Sequence, residues 1–203
     1  MPRAKIIPSL LALMLSAVGV LTGCQSPTAG FPSGSGAAHS TRNNCYSLLH
    51  QLLDEQKDVS ILRFIKQENS DVKDLTKRIA AASGAGSKLL EEFARHDPSI
   101  SLDDIRLPPG EVATREAIAS TEKKELLGKI GNEFELTLLL SQSEALSYAW
   151  HLAIVAGEND SQSDRVRAVA GVGEDMKNLH QEVFALLLSK IKLPATNQIA
   201  IQK

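Results

Sequence analysis

From residue 44 onward, apolar positions recur every three or four residues, the period of a helix with one buried face. The first run predicts a helix over about Asn44 to Gln67, with Cys45, Leu48, Leu49, Leu52, Val59, Leu62 and Ile65 on one side. Asn43 or Asn44 is placed to cap its start. Asn69-Ser70 opens a second helix that runs to about His96. Its stripe is the most regular in the chain: Val72, Leu75, Ile79, Ala82, Gly86, Leu89 and Phe93, the seam of an antiparallel helix contact. Gly84 and Gly86 each cost such a helix about 1 kcal/mol relative to Ala. A close helix crossing at Ala82 and Gly86 would offset that.

Asp97-Pro98 ends the second run, and 98–110 reads as a long connection whose Leu102, Ile105 and Leu107 pack across the domain. A short helix is expected over Glu111 to about Thr121. A third long helix, about Glu125 to Gly157, is apolar over more than half its circumference and should be the most buried element. Asp160 or Ser161 introduces the fourth, about Ser163 to Lys192, with the seam Val169, Val172, Met176, Leu179, Val183 and Leu186 and with Pro194 as its stop. Short links within each pair of long helices and one longer crossing between the pairs predict an all-α four-helix bundle. It consists of two packed helical hairpins with one short extra helix. The bundle domain is expected over residues 44–193, followed by a frayed tail at 194–203.

Composition narrows this further. Few aromatics, much Leu and Ala, and no sustained Val/Ile/Thr alternation disfavour sheet. Residues 1–23 hold two of the 22 basic side chains and none of the 24 acidic ones. The remaining chain therefore carries a net charge of about −4, which does not draw it to nucleic acid or to anionic headgroups. From Gln25 to Asn43 the chain is Ser, Gly, Pro, Ala and Thr with Phe31 as the one large apolar group, the composition of a flexible tether.

The N-terminus carries the most specific signal. Arg3 and Lys5 precede an apolar stretch, Ile6 to Val20, that is too short for a comfortable membrane span and long enough for a secretory signal. Leu21-Thr22-Gly23-Cys24 follows. This order of parts resembles the lipobox of bacterial lipoproteins. The resemblance implies that residues 1–23 are a signal peptide and that Cys24 carries a diacylglyceryl thioether and becomes the acylated N-terminus. It also implies a lipid-anchored protein of the cell envelope facing the periplasm, with Gln25 compatible with export to an outer membrane. With Cys24 so used, Cys45 has no partner for an intrachain disulfide and is expected to be a buried apolar residue.

A di-iron bundle uses Glu-x-x-His, because residues three apart converge on one ion. None of His50, His96, His151 or His180 has Glu three residues before it. Glu133, Thr137, Glu144, Tyr148 and His151 share one stripe of the third long helix, but Glu144 and His151 are seven residues apart, about 10 Å along the axis. One ion cannot bridge them within that helix. The spacing does let Tyr148 hydrogen-bond Glu144. Glu174 and His180 point to different faces, and Gly171-Val172-Gly173 sits inside a helical seam, where small residues serve packing. No haem-attachment motif, nucleophile elbow or phosphate loop is present.

Leu89-Leu90-Glu91-Glu92-Phe93-Ala94, the Leu107-Pro108 crossing and Met176-Lys177-Asn178-Leu179-His180 resemble an exported ferritin-like helical domain family of unknown function. The Asp-His pair typical of that family's second helix is reversed here as His96-Asp97. The likeness implies architecture only. The sequence thus predicts a non-enzymatic envelope lipoprotein, membrane-bound through Cys24, whose bundle binds an envelope partner or plays a structural role. It predicts no catalytic, cofactor or metal residue. The alternative is a ferritin-like metal-binding or redox protein using the Glu144/His151 stripe with ligands from other helices.

Overall fold

The computed structural model describes residues 35–59, 69–103 and 105–191, with side chains from His39 onward. The expected signal sequence, Cys24, the 60–68 segment and the tail from 192 lie outside the described residues. Five helices and no strand occur among the described residues: α1 (Ser35–Gln56), α2 (Ser70–His96), α3 (Pro109–Gly128), α4 (Gly131–Glu158) and α5 (Ser163–Lys190). The long helices close a ring in which α1 packs on α2 and α4, and α5 packs on α4 and α2. The all-α bundle read from the sequence is the fold.

Contacts at the two poles fix the directions. At the first pole the middle of α1 meets the ends of α2 and α4: Arg42 and Asn43 bond Ser99, Tyr46 bonds Asp160, and further on His50 meets Glu91, earlier in α2. At the second pole the starts of α2 and α4 meet the end of α5, since Asn69 N–H and Lys190 Nζ both donate to Glu135. Every neighbour in the ring is therefore antiparallel. The helices α2 and α4 are diagonal and parallel, so the link between them must travel the bundle's length. The α3 helix does so, running antiparallel along the outside of α4, with Arg115 near Tyr148 at one end and Lys129 bonded to Thr137 at the other.

One contiguous core fills the ring. Along α2, Val72, Leu75, Ile79, Gly86 and Leu90 are buried, while Ala82, Leu89 and Phe93 are half-buried against the same core. On α5 the expected seam is buried from Val169 to Val183, with Leu186 at its edge and Leu187 inside. The α4 helix contributes the longest set of buried residues, as its wide apolar face predicts. A Cβ on Gly86 would lie 2.9 Å from Leu53 Cδ1 and 3.2 Å from Val172 Cγ1, so glycine there permits the three-helix approach. Gly173 similarly faces Ala153 Cβ at 3.2 Å, whereas Gly84 and Gly171 are not crowded.

Several expectations need correction. The first helix begins at Ser35, so residues 35–43 of the expected tether are helical. Asn43 and Asn44 are inside α1 and cap nothing: Asn43 Nδ2 donates to Ser99 O at 2.8 Å, and Asn44 Oδ1 accepts from Arg106 N–H at 3.1 Å. Their side chains, with the buried Arg42, hold the crossing segment down, which local composition does not reveal. The α1 helix ends at Gln56, while the predicted positions Leu62 and Ile65 lie outside the described residues. The extra helix is not short, because it continues to Gly128, and α4 starts only at Gly131 with φ at +56°, a conformation suited to glycine. In the crossing, Leu102 and Leu107 pack against the core and Ile100 is buried, but Ile105 is exposed.

Candidate functional site

Titratable side chains gather at three places on this scaffold. The first is the seam between α3 and α4. Because α3 extends past Thr121, Glu122 comes to face Glu144 of the polar α4 stripe. Burial, then the charges of Glu144 and Glu125, push the Glu122 carboxyl up to about 7. Its Oε2 is enclosed without a hydrogen-bond partner. Burial also raises Glu144. Tyr148 does not bond Glu144; its hydroxyl accepts from Arg115 Nη2 at 3.4 Å, and the guanidinium lies 5.5 Å from the ring centroid. Arg115 in turn donates to Glu111 Oε1 at 2.6 Å, tying the first turn of α3 to its second. Thr137 donates back to Glu133 O and accepts from Lys129. The stripe is thus a lid seat for α3.

The second place is the outer edge between α4 and α5. Trp150 stacks near His151, with centroids 4.5 Å apart, and sits 6.5 Å from His180. Lys177 Nζ lies 5.8 Å from the same ring. His151 Nδ1 donates to Ser147 O at 2.7 Å, which fixes a proton on that nitrogen. Burial, then the charge of His151, lowers His180. Glu144 and His151, paired in the sequence-based alternative, have separate surroundings: one faces Glu122, the other Trp150. The described histidines also lack the Glu-x-x-His spacing, so a ferritin-type di-iron centre does not fit these residues.

The third place lies between α1 and α2. The i, i+4 pair His50 and Asp54 shares one edge of α1, and Glu91 comes from α2 opposite. One ligand atom from each lies within 4.8 Å of the others. His50 Nε2 is 3.5 Å from Glu91 Oε1, and Ser87 Oγ donates to Asp54 Oδ1 at 3.4 Å. Lys57 pairs with Asp54 from the next turn. On the neighbouring face, burial pushes Glu55 up to about 7 against a hydrogen bond from Gln51. The His50-x-x-x-Asp54 spacing was visible in the sequence as a same-face pair; Glu91 was not, since its approach depends on the register of two helices.

Cys45 is buried, and burial raises its thiol. The lipid-attachment candidate Cys24 is outside the described residues. No described helix is long and apolar enough to cross a membrane. The chain matches no protein-family model, and comparison with curated proteins and with solved structures gives no match.

Proposed function

We propose that this chain is a membrane-anchored envelope lipoprotein, lipidated at Cys24, whose helical bundle serves a non-enzymatic binding or structural role facing the periplasm. The observation that carries this reading is Leu21-Thr22-Gly23-Cys24 behind a basic and apolar leader. The start of α1 at Ser35 supports it, because residues 25–34 reach about 40 Å at most when fully extended. The anchor would therefore keep the first pole close to the membrane. Gln25 suits an outer-membrane destination, and an acidic bundle leaves membrane attachment to the lipid and gives nucleic acid no electrostatic footing.

Partner binding draws support from the other pole. Ile130, Leu140, Phe184, Leu188 and Ile191 are exposed there, on the start of α4 and the end of α5. The partner we propose is another envelope protein, met on the side away from the lipid. Fatty-acid labelling in cells tests the anchor: wild-type protein takes up label, and Cys24→Ser protein does not. Label persisting in Cys24→Ser at the N-terminal region overturns the lipid assignment. Photo-crosslinkers at Phe184 and at Arg95 test the partner, which should be captured from the first position and not from the second.

The second reading, a ferritin-like metal or redox protein whose centre is not of the Glu-x-x-His di-iron type, is favoured by one observation: a single long crossover joins two antiparallel helix pairs, as in ferritin-like bundles. Elemental analysis of protein purified from native membranes tests it. Stoichiometric iron or manganese lost in His151→Ala would favour this reading over the first.

A further inference from the structure

We propose that His50, Asp54 and Glu91 form a binding site for a divalent transition metal of the zinc class on the α1–α2 edge. The site depends neither on the lipid anchor nor on the ferritin-like reading, whose ligands would lie on other helices.

The helix period places His50 and Asp54 on successive turns of the same edge. The antiparallel α2 brings Glu91 to them, and Gly86 lets the two helices close at this level, its Cβ position being only 2.9 Å from Leu53 Cδ1. The ligand atoms lie within 4.8 Å of one another. Around a tetrahedral ion with bonds of about 2.0–2.1 Å, ligand atoms stand about 3.4 Å apart. His50 Nε2 and Glu91 Oε1, at 3.5 Å, already have that spacing. The same 3.5 Å is long for a hydrogen bond, so the pair is placed better for sharing an ion than for bonding each other. Small side-chain rotations bring Asp54 in, and its side chain is 45% exposed, leaving room for them.

The surroundings add two features of a metal site. Ser87, itself buried on α2, lies with its Oγ 3.4 Å from Asp54 Oδ1, a long contact that shortens to an outer-sphere hydrogen bond when the carboxylate holds an ion. Lys57 also sits in the field of Asp54, Asp58 and Glu91 and pairs with Asp54. A dication at Asp54 displaces that ammonium, which is held on an exposed, flexible stem. One imidazole nitrogen and two carboxylate oxygens select zinc-like ions. Calcium needs six to eight oxygen ligands, and magnesium prefers an octahedral oxygen shell. The fourth position faces solvent and takes water.

The test uses full-length protein in detergent after chelator treatment, with Zn²⁺ titrated by calorimetry and Co²⁺ followed by visible absorption. We expect one equivalent, a tetrahedral cobalt spectrum and a far weaker response to Mg²⁺. His50→Ala and Glu91→Gln each weaken binding by at least about tenfold, whereas His151→Ala leaves it unchanged. Lys57→Gln tightens it, because the competing ammonium is gone. Circular dichroism checks that each variant keeps its helices, and the exposed Glu91→Gln decides the matter if His50→Ala loses them. Absence of saturable binding, binding that survives Glu91→Gln, loss in His151→Ala, an equal response to Mg²⁺, or weaker binding in Lys57→Gln would each overturn the assignment.

Discussion

The Tyr46 hydroxyl on α1 donates a 2.8 Å hydrogen bond to Oδ2 of Asp160, 114 residues further along the chain. Arg165 completes the arrangement, with Nε and Nη2 each 2.7 Å from the Asp160 carboxylate and Nη1 2.8 Å from Asp97. One guanidinium thereby joins the end of α2, the α4–α5 turn and, through Asp160, the middle of α1. The Asp160 side chain has no exposure, and that of Arg165 is 14% exposed. Tyr46→Phe is expected to cost about 1 kcal/mol. Asp160→Ala is expected to cost about 2–4 kcal/mol, because Arg165 then loses a bidentate partner in an enclosed site. Urea unfolding measures both. A cost for Asp160→Ala no larger than that for Tyr46→Phe would show that the clamp contributes little.

Stability should peak on the acid side of neutrality. Burial pushes Glu122 and Glu55 up to about 7 from 4.5, so the folded state holds their protons where the unfolded chain has released them. That contribution is fully present below about 4.5 and is lost as pH rises through about 7. Two aspartates limit the acid side. Ser99 hydrogen bonds, then Arg165, lower Asp97; burial works against ionising Asp160, but bonds from Arg165, Gln162 N–H and Tyr46 outweigh it and lower its carboxyl too. Their contribution is present above the ordinary value of 3.8 and is lost as pH falls through their depressed folded values. His180, lowered by burial, adds stability that is present above 6.5 and lost as pH falls through its folded value, so thermal melts from pH 3 to 9 should trace a maximum between about pH 4 and 6. Glu122→Gln should flatten the alkaline limb and raise stability at pH 8 by on the order of 1 kcal/mol, discounted for partial exposure. An unchanged slope in that variant would place the pH dependence elsewhere.

How much of this was legible beforehand differs by element. The seams of α2 and α5 were readable because their packing follows the 3.6-residue period alone, and Cys45 is buried as its place in the first apolar stripe predicts. The stop of α3 was not, since Thr121-Glu122-Lys123-Lys124 carries no breaker and the real break is Gly128 to Gly131. That one misplaced boundary hid Glu122 as the neighbour of the Glu144 stripe. Arg42 and Asn43 were misread for another reason: polar residues bury when distant carbonyls satisfy them, and Ser99 O is 56 residues away from Asn43. His50 and Asp54 share a helix face that their spacing shows, but Glu91 required the register of α1 against α2.

The glycines of the bundle separate into tight and loose positions, and substitution should report which is which. Gly171 has open space around its Cβ position, so Gly171→Ala should stabilise by about 0.5–1 kcal/mol through helix propensity. Gly86→Val should destabilise by about 1–3 kcal/mol, because Leu53 and Val172 cannot both retreat within a filled core. Chemical denaturation of both variants checks the contrast, which would fail if both moved stability in the same direction.

Gln142 is fully buried on α4, and neither its Oε1 nor its Nε2 has a hydrogen-bond partner. A buried amide without partners costs about 1–3 kcal/mol. Gln142→Met, close in volume and free of that cost, should raise the unfolding free energy by about 1–2 kcal/mol. A loss of stability in this variant would mean that the amide is satisfied within the bundle.

The diagonal placement of α1 and α5 has a mechanical consequence. The chain enters the bundle at one pole and leaves it at the other, about 40 Å away by the length of a 28-residue helix. Tension applied between Ser35 and Lys190 runs along the helix axes and slides helices past one another. No hairpin peels open turn by turn under such a load. Resistance then comes from the whole interdigitated core at once, so the molecule should behave as a stiff strut under axial pull and yield abruptly.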